Sequence, residues 1–243
     1  MIPKIIHYCW FGGNPLPDDA RKCINSWKKY CPDYEIREWN EQNFDLNCCE
    51  YVAQAYKERK WAFVADYARL YAIVNFGGIY MDSDVEVLKP LDEFLHLEAF
   101  SGFQTEDTVP TGIMACEKGY KMFSELLTDY HERSFYREDG SLNTTTNVIY
   151  ITEKCVEKGL QLNNKHQIVA GFSLYPMDYF CAKSYKTGLI KITQNTYTVH
   201  HFAGSWVDEE HKKYNQLRHE MIEKYGYYLG LVIYKIRKEL QFY

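Results

Sequence analysis

The sequence lacks the features that mark several large classes of protein. No apolar run approaches the roughly 18 residues of a membrane-spanning helix, and residues 1–7 lack the apolar core of a secretory signal. We therefore expect neither a membrane span nor a signal peptide. Positive charge is also scarce, since 28 Lys and Arg are set against 33 Asp and Glu, for a net charge of −5. Because a phosphate backbone is bound by a clustered positive field, we expect no nucleic acid partner.

Signatures of zinc sites and disulfides are missing as well. The eight cysteines are scattered, and no CxxC pair offers zinc-site spacing. Free cysteine behaves as a small hydrophobic residue, so we expect reduced, mostly buried thiols and a cytoplasmic location. With 46% hydrophobic and 25% charged residues, the chain has the composition of a globular protein with one substantial core.

The regular elements predicted from the sequence alternate between strands and helices. The clearer patterns predict, in chain order, strand 5–11, helix 18–30, strand 34–39, helix 61–75 and strand 79–87. Softer patterns predict strand 112–116, helix 121–131, loop 134–147, helix 149–158 and strands 190–192 and 197–202. The opening strand–helix–strand order is typical of an α/β fold.

Two carboxylates, Asp82 and Asp84, interrupt the strand pattern over residues 79–87. A pair of acids at this spacing is common on protein surfaces. This one follows an apolar helix and an aromatic strand, so at least one carboxylate is expected to be partly buried and to need a cation or hydrogen bonds. Hard cations such as Mn²⁺ and Mg²⁺ prefer oxygen ligands, and such a cation can neutralise a departing diphosphate. The pair therefore indicates a metal site.

Asp66 and Arg69 lie three residues apart on the predicted helix 61–75 and so share one of its faces. Taken alone, they predict either a structural ion pair or a grip on the hydroxyl groups of a sugar, for which the rigid fork of arginine is suited. Their position just before Asp82 and Asp84 favours the second interpretation.

An indole and two histidines are further candidates. Trp10 ends the first predicted strand ahead of Gly12 and Gly13, where it either packs in the core or stacks on a nucleobase that the backbone approaches closely. His200 and His201 are neighbours on a predicted strand, and at most one of them is expected to face a site, because adjacent strand residues point to opposite sides.

Four separated segments together resemble a known family of DxD-containing sugar transferases, glycosyltransferase family 32. The segments are residues 2–13, 65–70, 77–84 and 200–206. The family includes the yeast initiating α-1,6-mannosyltransferase and many bacterial capsule and lipopolysaccharide enzymes, and the catalytic domains of glucosylating clostridial toxins look similar. The resemblance implies a GT-A fold, in which helices flank a mixed sheet. It also implies transfer of a sugar, with retention of anomeric configuration, from a nucleotide-diphosphate sugar, a UDP-hexose being favoured.

The resemblance also implies a role for individual residues. Donor binding falls to Trp10, Gly12, Asp66, Arg69, Asp82, Ser205 and Trp206. In this scheme Trp10 stacks on the base, Asp66 and Arg69 hold the sugar, and Asp82 reaches the ribose or the sugar. Asp84 ligates Mn²⁺ or Mg²⁺, with Asp82 close to the metal, and the catalytic set is Asp82, Asp84 and Arg69.

The closing segment selects between the two histidines. His201-Phe202-x-Gly204 resembles the metal-binding His-Phe-x-Gly of glycogenin-like transferases, which favours His201 over His200 as the third metal ligand. Those relatives continue with Lys-Pro-Trp, whereas this chain continues with Ser205 and Trp206. Ser205 and Trp206 are therefore the expected diphosphate contacts in place of a lysine.

We divide the chain into a catalytic domain over residues 1–206 and a C-terminal helical extension over residues 207–243. Residues 225–243 mix aromatic and aliphatic residues with lysine and arginine, which predicts either core packing or a helix at a membrane surface. In the second case the chain would lie at the inner face of a membrane. The acceptor would be a saccharide or a lipid-linked saccharide, as surface polysaccharide synthesis requires.

Two other functions compete with sugar transfer. Residues 81–85 also fit the DxDxV start of a phosphatase, but the Gly-Asp-x-x-x-Asp motif of such enzymes does not follow. A degenerate domain that binds carbohydrate or nucleotide sugar without turnover is disfavoured by the intact Asp82, Asp84 and Arg69. Asn147, in the polar loop, either lines the acceptor site or lies in an exposed turn, and the exposed turn is favoured.

Overall fold

A computed structural model of the chain describes residues 1–109, 112–204 and 209–240. Its strands are β1 (Ile5–Cys9), β2 (Glu35–Trp39), β3 (Gly78–Met81), β4 (Val85–Val87), β5 (Ala99–Gly102), β6 (Ile113–Cys116), β7 (Gln167–Val169), β8 (Phe172–Tyr175) and β9 (Thr198–His200). Its α-helices are α1 (Asp18–Tyr30), α2 (Glu50–Lys57), α3 (Trp61–Phe76), α4 (Lys121–Asp129), α5 (Asn147–Glu157), α6 (Met177–Phe180), α7 (Glu209–Tyr225) and α8 (Tyr227–Leu240).

Seven of these strands form one mixed sheet in the order β2-β1-β3-β6-β5-β8-β7. Strands β2, β1 and β3 run parallel, β6 is antiparallel to both of its neighbours, and β5 runs parallel to β8. Strands β4 and β9 form a separate antiparallel pair. The predicted α/β class, with a mixed central sheet flanked by helices, is confirmed.

Helices cover both faces of the sheet because successive side chains of a strand point to opposite sides. On β3, Tyr80 packs in an apolar cluster with Val64 and Leu70 of α3. Its neighbour Ile79 packs in a second cluster with Trp27 of α1. Helix α3 is apolar nearly all round and is largely buried, as the sequence predicts.

The predicted strand over residues 79–87 is divided in two by a turn. The Val85 N–H donates to the Asp82 carbonyl at 2.9 Å, and the Asp82 N–H donates to the Gly112 carbonyl at 2.8 Å. The second bond extends the pairing of β3 with β6, and the first closes the turn that leads from β3 into β4 of the small sheet. The two acids consequently lie in a turn at the end of a strand and not within one.

Several softer predictions differ from the structure. Residues 190–192 contribute only an isolated bridge between Lys183 and Ile190, and β9 is shorter than the predicted strand 197–202. Helix α5 begins at Asn147, two residues earlier than predicted. Helices α2 and α6 and strands β5, β7 and β8 were not predicted. All eight cysteines are free and seven are buried, which confirms the prediction that they are mostly buried.

Helices α7 and α8 pack against each other near the C-terminus. Within the described residues, no helix is both long enough and apolar enough to cross a membrane. The predicted boundary between residues 206 and 207 lies outside the described residues, so the division into two domains stays a prediction.

Candidate functional site

Three potential metal ligands converge where β3 ends and the small sheet begins. Ligand atoms of Asp82, Asp84 and His200 all lie within 4.8 Å of one another. The His200 Nε2 atom is 3.3 Å from Asp84 Oδ1 and 3.8 Å from Asp82 Oδ2. The pairing of β4 with β9 sets His200 opposite Val85 and so brings it to the turn that carries the acids. Two carboxylates and one imidazole form a donor set that suits Mn²⁺ or Mg²⁺.

Close packing and charge hold this group in place. A side chain at Gly112 would lie 2.6 Å from His200 Nδ1, so the imidazole is seated directly against the backbone there. Burial alone would raise the pKa of Asp84, but the charge and hydrogen bond of His200 and the Ala203 N–H hold it down at about 2. The Ala203 N–H donates to Asp84 Oδ2 at 2.7 Å. Asp84 is therefore ionised near neutral pH, as a metal ligand must be.

His201, the predicted third ligand, points elsewhere. Its Nε2 atom is 2.9 Å from Glu86 Oε2, and its backbone N–H donates to the Asp84 carbonyl at 3.0 Å. The expected alternation along the strand is therefore present, but the structure brings His200, and not His201, to the two acids. The assignment of His201 as a ligand therefore stays a prediction, and the register of β9 against β4 decides which of the two neighbours faces the turn.

Arg69 links α3 to the acidic turn. Its Nη2 atom is 3.3 Å from Asp66 Oδ1 and 3.2 Å from Asp82 Oδ1, and the Arg69 and Asp66 side chains are only 7% and 9% exposed. The guanidinium also lies over the Tyr80 ring at 4.7 Å, and the Tyr80 hydroxyl donates to Asp82 Oδ1 at 2.8 Å. The predicted pair thus shares one face, as its spacing requires, and it is joined to Asp82.

Asp66 is held from a second side by the start of α5. The Asn147 N–H donates to Asp66 Oδ2 at 3.2 Å, and its side-chain amide donates to the Asp66 carbonyl at 2.6 Å. The Tyr130 hydroxyl donates to Asn147 Oδ1 at 2.5 Å. Burial raises the pKa of Asp66 to about 6, although Arg69 and the Asn147 N–H oppose that rise. Asn147 is 1% exposed, so the predicted exposed turn is wrong. Its sequence context gives no sign of this contact.

Trp10 lies beyond the end of β1 and lines a cleft of about 480 Å³. The other residues that line this cleft are Gly12, Gly13, Asn14, Glu38, Asn40, Glu41, Gln42, Tyr56 and Trp61. The Trp10 Nε1–H donates to the Asn14 carbonyl at 2.6 Å, and a side chain at Gly12 would meet Trp61 Nε1 at 2.6 Å. The half-buried Trp10 therefore borders an open cleft, as a stacking residue would.

Lys183 is a cation near the acidic turn that the sequence did not single out. It is half-buried, and its Nζ donates to the His201 carbonyl at 2.7 Å. Burial lowers the pKa of Lys183, while the nearby charge of Asp84 opposes that effect. No motif surrounds it in the sequence, so only the fold reveals it. Ser205 and Trp206 lie outside the described residues.

Comparison with known proteins shows which families this site is similar to. Residues 17–101 match a family model described as the glycosyltransferase sugar-binding region containing a DXD motif. The chain is 26% identical over 145 residues to inositol phosphoceramide mannosyltransferase 3 of Schizosaccharomyces pombe, covering 55% of this chain and 38% of that protein. It is 28% identical over 159 residues to the uncharacterized glycosyltransferase L373 of Acanthamoeba polyphaga mimivirus, covering 60% of each. The chain therefore spans less than two thirds of the length of these curated relatives.

Solved structures that it resembles include the PaToxG glycosyltransferase, with a TM-score of 0.49 and 17% identity over 65% of this chain and 69% of that one. A glycosyltransferase involved in glycosylation of the major capsid of PBCV-1 has a TM-score of 0.46 and 15% identity, over 88% of this chain and 99% of that one. The family match over residues 17–101 includes Asp66, Arg69, Asp82 and Asp84. Over that segment, the chain is similar to the glycosyltransferase sugar-binding region containing a DXD motif.

Proposed function

We propose that this protein is a retaining, metal-dependent glycosyltransferase that moves a hexose from a nucleotide-diphosphate sugar to a saccharide or lipid-linked saccharide. The observation that carries the proposal is the convergence of Asp82, Asp84 and His200 beside the Arg69–Asp66 pair. Asp84 and His200 would hold Mn²⁺ or Mg²⁺, with Asp82 close to the ion. The metal would supply the positive charge that stabilises the departing diphosphate.

Asp66, Arg69 and Asp82 form the part of the site suited to a sugar. Arg69 lies between the two carboxylates and is fixed by both, so the three charged groups are positioned in advance for the hydroxyl groups of a sugar. Positions fixed before substrate binds reduce the entropic cost of orienting the reacting groups. Asp82 also lies between this pair and His200, which supports a role for it at the junction of sugar and diphosphate.

Retention of configuration follows from attack on the face that the diphosphate leaves. In this reaction the acceptor oxygen forms a bond to the anomeric carbon as the bond from that carbon to the diphosphate oxygen breaks. The acceptor proton passes to the departing phosphate oxygen, so no side chain is assigned as nucleophile or base. Lys183, next to the acidic turn, would contact the diphosphate as a cation. Ser205 and Trp206 retain the same proposed role on the basis of the family resemblance.

The family resemblance and the names of the relatives bear on the donor and the acceptor. The family resemblance favours a UDP-hexose as the donor. Two of the curated relatives are named as mannosyltransferases of inositol phosphoceramide, a lipid, which supports a lipid-linked acceptor. Such an acceptor fits the synthesis of surface polysaccharide at the inner face of a membrane.

The central test is Mn²⁺-dependent hydrolysis of UDP- and GDP-sugars by the full chain and by Asp84→Asn. The variant removes a charged ligand, so we expect its rate to fall by about 100-fold or more. Glu86→Gln is the matched control, because Glu86 contacts His201 outside the ligand group, and its rate should stay within about twofold of the original.

Three outcomes of this assay would contradict the proposal. Undiminished turnover in Asp84→Asn would contradict the assignment of Asp84 as a metal ligand. Release of phosphate from simple monoesters would favour the phosphatase instead. Binding of a nucleotide sugar without any turnover would favour a degenerate binding domain.

A further inference from the structure

The cleft beside Trp10 lies where the base of a donor nucleotide would reach. It borders the carboxyl ends of β1 and β2, while the turn with Asp82 and Asp84 follows β3 on the other side of β1. Neighbouring strands are about 4.8 Å apart, so the cleft and the acidic turn are separated by roughly 10 Å along the sheet edge. A ribose can bridge that separation when the diphosphate lies at the acidic turn. Ligands of open α/β sheets bind at this edge.

Aromatic rings form the walls of this cleft. Tyr56 and Trp61 have ring centroids 4.9 Å apart, and Trp61 packs directly against Gly12. Trp10 is tied to the Asn14 carbonyl through its indole N–H. Rings fixed in this way offer flat surfaces on which a planar base can stack.

The charge of the cleft selects among planar ligands. Its lining includes two carboxylates, Glu38 and Glu41, and none of the ten lining residues is lysine or arginine. A diphosphate would be repelled from such a surface, whereas a base that offers hydrogen-bond donors would be attracted. The cleft therefore suits the base end of a nucleotide and not its phosphates.

Of the two carboxylates, Glu41 has the greater capacity for a ligand. Both Glu38 oxygens are already engaged, one by the Tyr8 hydroxyl and the other by the Asn40 amide at 2.7 Å. Glu41 Oε1 accepts the Gly12 N–H at 2.6 Å and a long contact of 3.5 Å from the Tyr56 hydroxyl. A carboxylate has about four acceptor positions, so Glu41, oriented by Gly12, can accept further donors.

We propose that Glu41 makes this cleft selective for guanine, so that the donor is a GDP-sugar and not the UDP-hexose favoured by the resemblance. Guanine presents two adjacent donors, N1–H and the 2-amino group, which match the two oxygens of one carboxylate. Uracil offers a single N3–H between two carbonyl oxygens, and both of those oxygens would be repelled by Glu41. This inference rests on the proposed function, because it assumes that the ligand is a nucleotide whose diphosphate lies at Asp82 and Asp84.

The test is calorimetric binding of GDP and UDP, each with Mn²⁺, to the full chain and to Glu41→Gln. We expect the unaltered protein to bind GDP at least about tenfold more tightly than UDP. In Glu41→Gln, the side-chain amide oxygen can still accept the hydrogen bond from the Gly12 N–H. This orientation turns the amide N–H groups toward the ligand. These groups oppose the donors of guanine and complement a carbonyl of uracil, so the preference should fall to within about threefold or reverse.

Asn14→Ala is the matched control, since it alters an exposed lining side chain while the Asn14 carbonyl still accepts Trp10. It should keep the preference for GDP, and thermal unfolding should show that both variants are folded. Tighter binding of UDP by the unaltered protein would overturn the guanine assignment and leave the proposed function intact. A preference for GDP that survives in Glu41→Gln would overturn the role of Glu41. Failure of both nucleotides to bind would contradict the proposed function itself.

Discussion

At the scale of single residues, the charged side chains of the site form a continuous series of ion pairs. Arg69 contacts both Asp66 and Asp82, and His200 approaches both Asp82 and Asp84. Arg69, Asp82 and His200 are therefore each offset by more than one charged partner, which limits the cost of removing them from water. Loss of any one member leaves another without full compensation, so substitutions here should affect stability as well as function.

The choice between the two histidines can be tested by metal binding. His200→Ala removes a proposed ligand, so we expect Mn²⁺ affinity to fall by about 10- to 100-fold. His201→Ala removes a side chain that contacts Glu86, and its Mn²⁺ affinity should stay within about twofold. Titration followed by Mn²⁺ electron paramagnetic resonance would measure both. The opposite ranking of the two variants would restore His201 as the ligand.

His7, a buried residue outside the site, should make the stability of the protein depend on pH. This buried imidazole accepts the Trp39 indole N–H at its Nδ1 atom (3.1 Å) and donates from Nε2 to the Gly77 carbonyl (2.9 Å). Burial lowers its pKa to about 4, although the Gly77 carbonyl opposes that shift. In the unfolded chain the histidine pKa is near 6.5. At a pH between that value and the lower pKa of the folded protein, the unfolded chain binds a proton that the folded chain does not. The contribution of His7 to the free energy of unfolding is therefore fully present above about pH 6.5. It falls, by at most about 3 kcal/mol, as the pH drops toward 4.

Urea unfolding of the original protein and of His7→Gln, from about pH 7 to about pH 4.5, would measure this effect. Glutamine has no group that titrates here, so the advantage of the original protein over the variant should shrink as the pH falls. The carboxylates titrate in both proteins and cancel in the difference. Parallel stability curves would show that His7 does not carry the effect.

At the scale of elements, the close approach of β1 and β3 positions the acidic turn. Gly78 begins β3 with φ of +108°, and a side chain there would lie 2.6 Å from the Ile5 carbonyl oxygen. The parallel pairing of the two strands sets where β3 ends and hence where Asp82 emerges. A glycine at this position is thus required by the backbone of the neighbouring strand as well as by its own conformation.

Gly78→Ala should destabilise the protein by about 2 to 4 kcal/mol, from conformational strain and from the clash with Ile5. Gly119→Ala is a matched comparison, because Gly119 also has positive φ (+76°) but, among the described residues, no atom lies within 4 Å of the added carbon. It should cost only about 1 kcal/mol. The difference in free energy of unfolding, measured in urea, isolates the clash. Equal losses in the two variants would show that β1 and β3 can move apart without cost.

At the scale of the whole molecule, α8 presents an apolar stripe that the core does not cover. Tyr228, Leu229, Val232 and Ile236 are 85%, 55%, 53% and 51% exposed, and they recur at helical spacing. Basic side chains, among them Lys235 and Arg237, are also exposed on this helix. An apolar stripe flanked by positive charge complements an anionic bilayer surface. We therefore propose that α8 brings the site to a membrane that holds a lipid-linked acceptor.

Flotation with vesicles of phosphatidylcholine and phosphatidylglycerol would test this contact. The double variant Val232→Glu and Ile236→Glu should lose most of its vesicle binding, because it places two charges in the apolar stripe. Ile149→Glu with Val156→Glu, two residues of α5 that are each 44% exposed, is the matched control and should still bind. Equal binding by both double variants, or no binding by the original protein, would contradict the membrane role.

Local sequence patterns determined the α/β class, the order of the early elements, and the identities of Asp66, Arg69, Asp82 and Asp84. These features depend on periodicity and short spacings, which a chain carries in neighbouring residues. Asp66 and Arg69 share a face because they are three residues apart on a helix, whatever the rest of the fold does. The junction between α3 and β3 was likewise close to the one predicted, since glycines mark it.

Only the tertiary structure decided which distant residues complete the site. The register of β9 against β4 selected His200 over His201, the packing of α5 on α3 buried Asn147 against Asp66, and the loop after β2 brought Glu41 to the Trp10 cleft. Each contact joins segments far apart in the sequence. Its formation depends on which strand pairs with which and on a register that is fixed when whole faces are buried together. No local pattern carries that information, because the free energy that fixes it belongs to the assembled core.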